Sequence, residues 1–217
     1  VVLLAQSSGG SGTFSHIAVV GHRNGEIENL DTKPIGDRVQ IRRAKVEGNL
    51  IALDIVRAGP QDPACCPGEV ATMGWEMTDR GLSAVAETTE TSRLSLDTIL
   101  DIEWTLKEWD RGEPAEPTPE VVLKYTDGRI IGIGGCNNFF TTGRLGPNPR
   151  DLRLALPGRP RQACPASDMA VEERFLELLA GVRKFGFMNQ RLALTYEVDG
   201  TRGTMLFALR PSVANRE

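Results

Sequence analysis

Four cysteines, Cys65, Cys66, Cys136 and Cys164, are the residues of this chain best equipped for covalent chemistry. Cys136 lies in Gly135-Cys136-Asn137-Asn138-Phe139-Phe140 and Cys164 in Ala163-Cys164-Pro165, 28 positions further on. The first segment reads as a glycine-rich strand end and the second as a helix entrance. Paired in an oxidising compartment, the two would close a loop worth about 3–4 kcal/mol by chain entropy. Pairing is the expectation; two buried thiols or a redox-active couple are the alternatives. No Cys-x-x-Cys motif marks a reactive thiol. Cys65 and Cys66 are adjacent and flanked by prolines. A vicinal bridge is expected there, although an ordinary bridge needs Cα atoms about 5.5 Å apart. Free thiols, a soft-metal site or pairing elsewhere stay open.

Other chemistry is thinly supplied. His16 and His22 are the only histidines. Six positions apart on a strand they share a face, but no third ligand accompanies them, so a zinc cluster is not supported. No serine sits in a Gly-x-Ser-x-Gly elbow. Asp54, Glu103, Glu108 and Asp110 are scattered along strands and read as solvated faces, not as an acid pair across a cleft. The Gln6–Gly12 loop could offer N–H groups to an anion but lacks the ending of a phosphate loop. It reads as a hairpin connection. Asn137 and Asn138 suit turn geometry, with a polar ligand contact as the alternative. No catalytic, cofactor-binding or metal-binding residue is assigned, and the protein is expected not to be an enzyme and to carry no cofactor.

The elements that place these residues are mostly strands. Alternation and turn signals predict strands over Val1–Ala5, Phe14–Gly21, Arg38–Val46, Leu50–Val56, Val70–Met77 and Gly81–Thr88. Arg23-Asn24-Gly25, Glu47-Gly48-Asn49 and Thr78-Asp79-Arg80 turn the chain, and residues 58–68 form a proline-rich loop. Thr89–Ser95 is polar and is the linker candidate. Further strands follow over Leu100–Trp109, Val121–Tyr125, Arg129–Gly134, Asn138–Arg144, Asp151–Leu156, Lys184–Met188, Arg191–Val198 and Thr204–Leu209. The Asp-Gly pairs at Asp127 and Asp199 suit tight hairpins. Val171, Phe175, Leu178, Leu179 and Val182 recur with helical spacing. Ser167 or Asp168 is the expected cap of that helix, with Gly181 at its end.

Composition is that of an ordinary globular protein. Its 217 residues carry 25 Lys plus Arg and 29 Asp plus Glu, a net charge of −4. No basic block suggests nucleic acid. No apolar run of about 18 residues suggests a membrane span. Two domains are expected, 1–93 and 94–217. The opening Val1-Val2-Leu3-Leu4 reads as strand core at the very terminus, so the first domain is expected to lack upstream strands.

The stretch from about Thr98 to Arg210 resembles the META domain, also called HslJ-like. The residues that carry the resemblance are Trp104, Gly132-Ile133-Gly134-Gly135-Cys136-Asn137-Asn138-Phe139-Phe140 and Gln162-Ala163-Cys164-Pro165. Met169, Glu172, Glu173, Phe175, Leu176, Arg191-Leu192-Ala193-Leu194-Thr195 and Met205-Leu206-Phe207 extend it. One departure is Thr141-Thr142-Gly143-Arg144, where the family often has a Gly-x-Tyr step. Through Leu3-Leu4-Ala5-Gln6-Ser7-Ser8-Gly9-Gly10-Ser11-Gly12-Thr13-Phe14, Gly36-Asp37-Arg38-Val39 and Asp62-Pro63-Ala64-Cys65-Cys66-Pro67, the first half is similar to the β-rich region ahead of META domains in some exported bacterial proteins.

The resemblance implies a mainly β protein, α+β in its second domain, with one helix packed on a curved antiparallel sheet. It implies an exported, periplasmic, envelope or extracellular protein, in many cases a lipoprotein, linked to stress or antibiotic tolerance. The function expected is non-enzymatic binding of a protein partner or a small apolar ligand. A purely structural spacer in a larger exported protein is the alternative. Trp104, Phe139, Phe140, Phe175 and Phe207 are expected in the core, or lining a cleft if the curved sheet leaves one.

Overall fold

The computed structural model describes residues 1–7, 9, 12–23, 25–63, 66–85, 91–160, 162–188 and 190–210. The chain divides into two compact units, one over Val1–Leu94 and one beginning at Ser95. Both are antiparallel β structures, and one α-helix lies in the second.

The first unit holds two sheets. Strands β1 (Val2–Gln6), β2 (Phe14–Arg23) and β3 (Glu26–Asp37) form a meander in the order β1-β2-β3. Strands β4 (Gln40–Glu47), β5 (Leu50–Arg57), β6 (Glu69–Thr78) and β7 (Gly81–Val85) form the second, and β8 (Ser92–Arg93) pairs with β6. Alternate residues face a shared core. Ile17 and Ile35 from the first sheet meet Ile41, Leu53, Ile55 and Trp75 from the second. Asp31 ties the sheets: the Leu82 N–H donates to its Oδ2 at 2.7 Å.

β3 is the longest element that the alternation pattern missed; the two-residue β8 lies inside the linker candidate. β3 is rich in Glu, Asp and Asn and contains Pro34, all poor strand formers. Its pairing with β2 slips twice, at Ser15/His16 and at Val19/Val20, so no period of two survives along it. Asn24 of the expected turn, positions 8, 10 and 11 of the Gln6–Gly12 loop, residues 86–88 of the expected strand and 89–90 of the linker lie outside the described residues. Cys65 of the vicinal pair does too.

The second unit opens with a 3-10 turn, Leu96–Ile99, started by Ser95, whose Oγ accepts from the Asp97 N–H. Then come β9 (Glu103–Asp110), β10 (Glu113–Pro114), β11 (Val121–Thr126), β12 (Arg129–Gly134), β13 (Asn138–Leu145), β14 (Leu152–Leu154), α1 (Ala166–Ala180), β15 (Val182–Met188), β16 (Arg191–Val198) and β17 (Thr201–Leu209). The sheet order is β14-β13-β12-β11-β9-β17-β16-β15, with β10 on β9. Its two ends approach each other. Asp151 bridges to Lys184, and the Phe185 N–H donates to Arg150 O at 2.9 Å, so the sheet is a nearly closed barrel.

The helix packs against β12, β14 and β16 and buries Glu172, Phe175, Leu178 and Leu179. Two sequence expectations change here. The N-cap is Pro165, not Ser167 or Asp168, and no side chain caps the helix. Pro165 lacks only its own N–H, and its carbonyl accepts from Asp168 N and Met169 N. Ser167 and Asp168 lie inside the first turn and bond to each other. Val182 continues the helical spacing, but the helix stops at Ala180 and Val182 begins β15.

Candidate functional site

The residues singled out from sequence meet at the junction of the β12–β13 turn with the start of α1. Cys136 and Cys164 form a disulfide with Cα atoms 6.0 Å apart. Asn137, 5% exposed, lies beside it. Its Nδ2 donates to Glu172 Oε1 at 3.2 Å and to Gln162 O at 3.2 Å, and its Oδ1 accepts from the Gln162 N–H at 3.1 Å. The Asn137 main-chain N–H also donates to Glu172 Oε2. Glu172 is fully buried and pairs with the Arg159 guanidinium.

The glycines before Cys136 allow this approach. A Cβ on Gly134 would lie 3.2 Å from Glu172 Cγ. One on Gly135, at φ +116°, would meet Val171 Cγ1 at 3.1 Å. One on Gly132 would fall 1.9 Å from Val122 O, inside the neighbouring strand. The motif therefore lets a strand end slide under a helix.

Chemically this junction is a clamp. Its carboxylate is held by three donors, and Asn137 uses both ends of its amide. Asn138 is exposed on β13. Burial of Glu172 went unread in the sequence, where it counted toward the META resemblance. The signal was present: Glu172, Phe175 and Leu179 share one face at i, i+3 and i+7.

The five aromatic residues fall into two groups. Trp104, Phe139, Phe175 and Phe207 are buried. Phe139 and Phe207 flank Phe175 at 5.2 and 6.5 Å between ring centroids, and Trp104 contacts Phe187 at 6.2 Å. These rings are packing, and only Phe139 borders a described groove. The Trp104 Nε1–H finds no acceptor among the described residues. Phe140 departs from the expectation: it is 53% exposed on the outer side of β13. Odd and even residues of a strand face opposite ways, so Phe139 inside puts Phe140 outside. There its ring covers Gly158, whose backbone pairs with it.

The remaining candidates are engaged in the scaffold. Asp54 accepts from Thr72, Glu103 pairs with Arg210, and Asp110 accepts from the Thr204 N–H. Glu108 accepts from the Gly112 N–H and pairs with Arg191, which together hold its carboxyl below the usual glutamate value. His16 is half-buried opposite Leu4 and Pro34, and His22 is exposed opposite Ile27. Among the described residues no three His, Cys, Asp or Glu side chains are placed to hold a metal.

Two of the barrel's concavities lie among the described residues. A groove of about 380 Å³ crosses the outer wall, lined by Val122, Ile131, Ile133 and Phe139 with Lys124 and Arg210 at its rim. Ile131 and Ile133 are 37% and 42% exposed. A cleft of about 250 Å³ lies between the β10 lip and α1.

The class is thus a nearly closed antiparallel barrel clasped to one helix by a disulfide and a buried carboxylate. Residues 97–210, more than half of the chain, match the family model of the META domain, and the chain belongs to that family. An NMR structure of a protein from Burkholderia xenovorans is 17% identical, covering 59% of this chain and 100% of that one, with a TM-score of 0.42. No curated protein matches the chain. No helix among the described residues is long and apolar enough to cross a membrane.

Proposed function

We propose that this protein is a non-enzymatic accessory module of an exported protein, and that it holds a small apolar ligand in the outer-wall groove. The observation that carries the reading is the pair Ile131 and Ile133, exposed on one face of β12 and lining the groove with Val122 and Phe139. The groove volume lies within the usual range for small-molecule sites, roughly 300–1,000 Å³. Membership of the META family supports an accessory role and supplies no catalytic residue. Export is supported by the disulfide, which fits an oxidising compartment, and by the family, whose members are often exported.

The test is a titration with neutral short-chain monoacylglycerols followed by NMR of isoleucine methyl groups. Saturable shifts at Ile131 and Ile133, abolished in Ile133→Glu without loss of thermal stability, are the expected result. Shifts spread over the surface, or none, would overturn the ligand. A spacer role is the second reading. It is favoured by the clamp, where the buried carboxylate and amide are satisfied internally.

A further inference from the structure

We propose that the cleft between the β10 lip and α1 binds a small organic cation, an ammonium or guanidinium head on a short apolar stem. The site is separate from the outer-wall groove and does not depend on it. Its floor is apolar: Leu106 and Trp109 from β9, Val121 from β11 and Val171 from α1. Its charged lining is Glu113 and Glu116 on the lip against Arg174 on the helix, so carboxylates are in excess.

The cleft already displays the chemistry it selects. The Arg174 guanidinium sits 4.5 Å over the Trp109 ring and pairs with Glu113 at 2.7 Å. A cation stacked on an indole and held by a carboxylate is what an incoming head group would reproduce. Arg174 and Glu113 side chains are 44% and 50% exposed, so their pairing is weak and exchangeable. Glu116 has no ion pair among the described residues and offers a second anchor.

Size and backbone chemistry narrow the occupant. About 250 Å³ suits a compact molecule. Pro114, Pro117 and Pro119 remove N–H donors from the loop, so it offers no ladder to an extended peptide. An anion would meet Glu116, and it would compete with Glu113 for the one cation in the lining, Arg174.

The experiment is a titration of the whole chain with hexylammonium, and with hexanol and hexanoate in parallel, read at the assigned Trp109 indole N–H by NMR. Hexylammonium is expected to bind about tenfold more tightly than hexanol, the contribution of one good cation–π and carboxylate contact, and hexanoate not at all. Glu116→Gln, an exposed change that leaves the fold intact, weakens hexylammonium alone. Arg174→Met removes the resident competitor and tightens it severalfold. Equal binding of hexanol, stronger binding of hexanoate, weaker binding to Arg174→Met, or no response at Trp109 would each overturn the proposal. Shifts at Ile131 and Ile133 report the other groove and leave this outcome readable.

Discussion

Glu172 shows how much one side chain can hold. Fully buried, it accepts from the Asn137 main chain and amide and from Arg159. Removing one member of such a group strands the others without water. Glu172→Ala is therefore expected to cost about 3–5 kcal/mol, measured by urea unfolding. Glu172→Gln keeps an acceptor and should cost less. Asp62 is a second case, in the first unit. Burial pushes its carboxyl up, but the Gly59 N–H, the Arg93 guanidinium and the Gly68 N–H outweigh burial and hold it below the usual aspartate value. The unfolded chain then binds the proton more tightly than the folded one. The contribution of Asp62 is complete above about pH 4, the unfolded value, and is lost as pH falls through the lower folded value. Asp62→Asn should flatten the acid limb of the first unit's stability profile, and an unchanged limb would count against this role.

At the scale of elements, the disulfide joins the β12–β13 turn to the N-terminus of α1, across 28 residues that include β13 and β14. Opening it returns loop entropy to the unfolded chain. The Cys136→Ser/Cys164→Ser double variant should lose about 3–4 kcal/mol, less any relief of native strain, in guanidinium unfolding. Folding should survive, because the buried face of α1 and the Asn137–Glu172 contacts remain. Elements of this kind were readable from sequence wherever the signal was local. The Asp127-Gly128 and Asp199-Gly200 turns take positive φ and join β11 to β12 and β16 to β17 as expected. Barrel closure was not readable. It rests on the Asp151–Lys184 bridge between the two end strands, and the sheet on pairings such as Leu106 with Phe207, about 100 positions apart; no window of sequence carries a signal for either. The clefts were unreadable for the same reason. Trp109, Glu113 and Arg174 converge from a strand, a lip and a helix, whereas of the aromatic residues that stood out in the sequence Trp104, Phe139, Phe175 and Phe207 are buried and Phe140 is exposed.

On the scale of the whole molecule, each unit has its own core and so its own reason to fold. The first rests on Ile17, Leu53, Ile55 and Trp75, the second on Phe175, Phe185, Leu192 and Phe207. The disulfide and the Glu172 clamp lie wholly in the second. Calorimetry of the full chain is therefore expected to resolve into two transitions. Trp75→Ala, a large-to-small change in a buried site, should destabilise the first unit by about 3–5 kcal/mol and leave the other transition in place. The cysteine double variant should do the reverse. Additivity in the combined variant would follow from sites that share no partners. If either change moved both midpoints together, the chain would be one cooperative body, and the division at Ser95 would be a matter of geometry and not of folding.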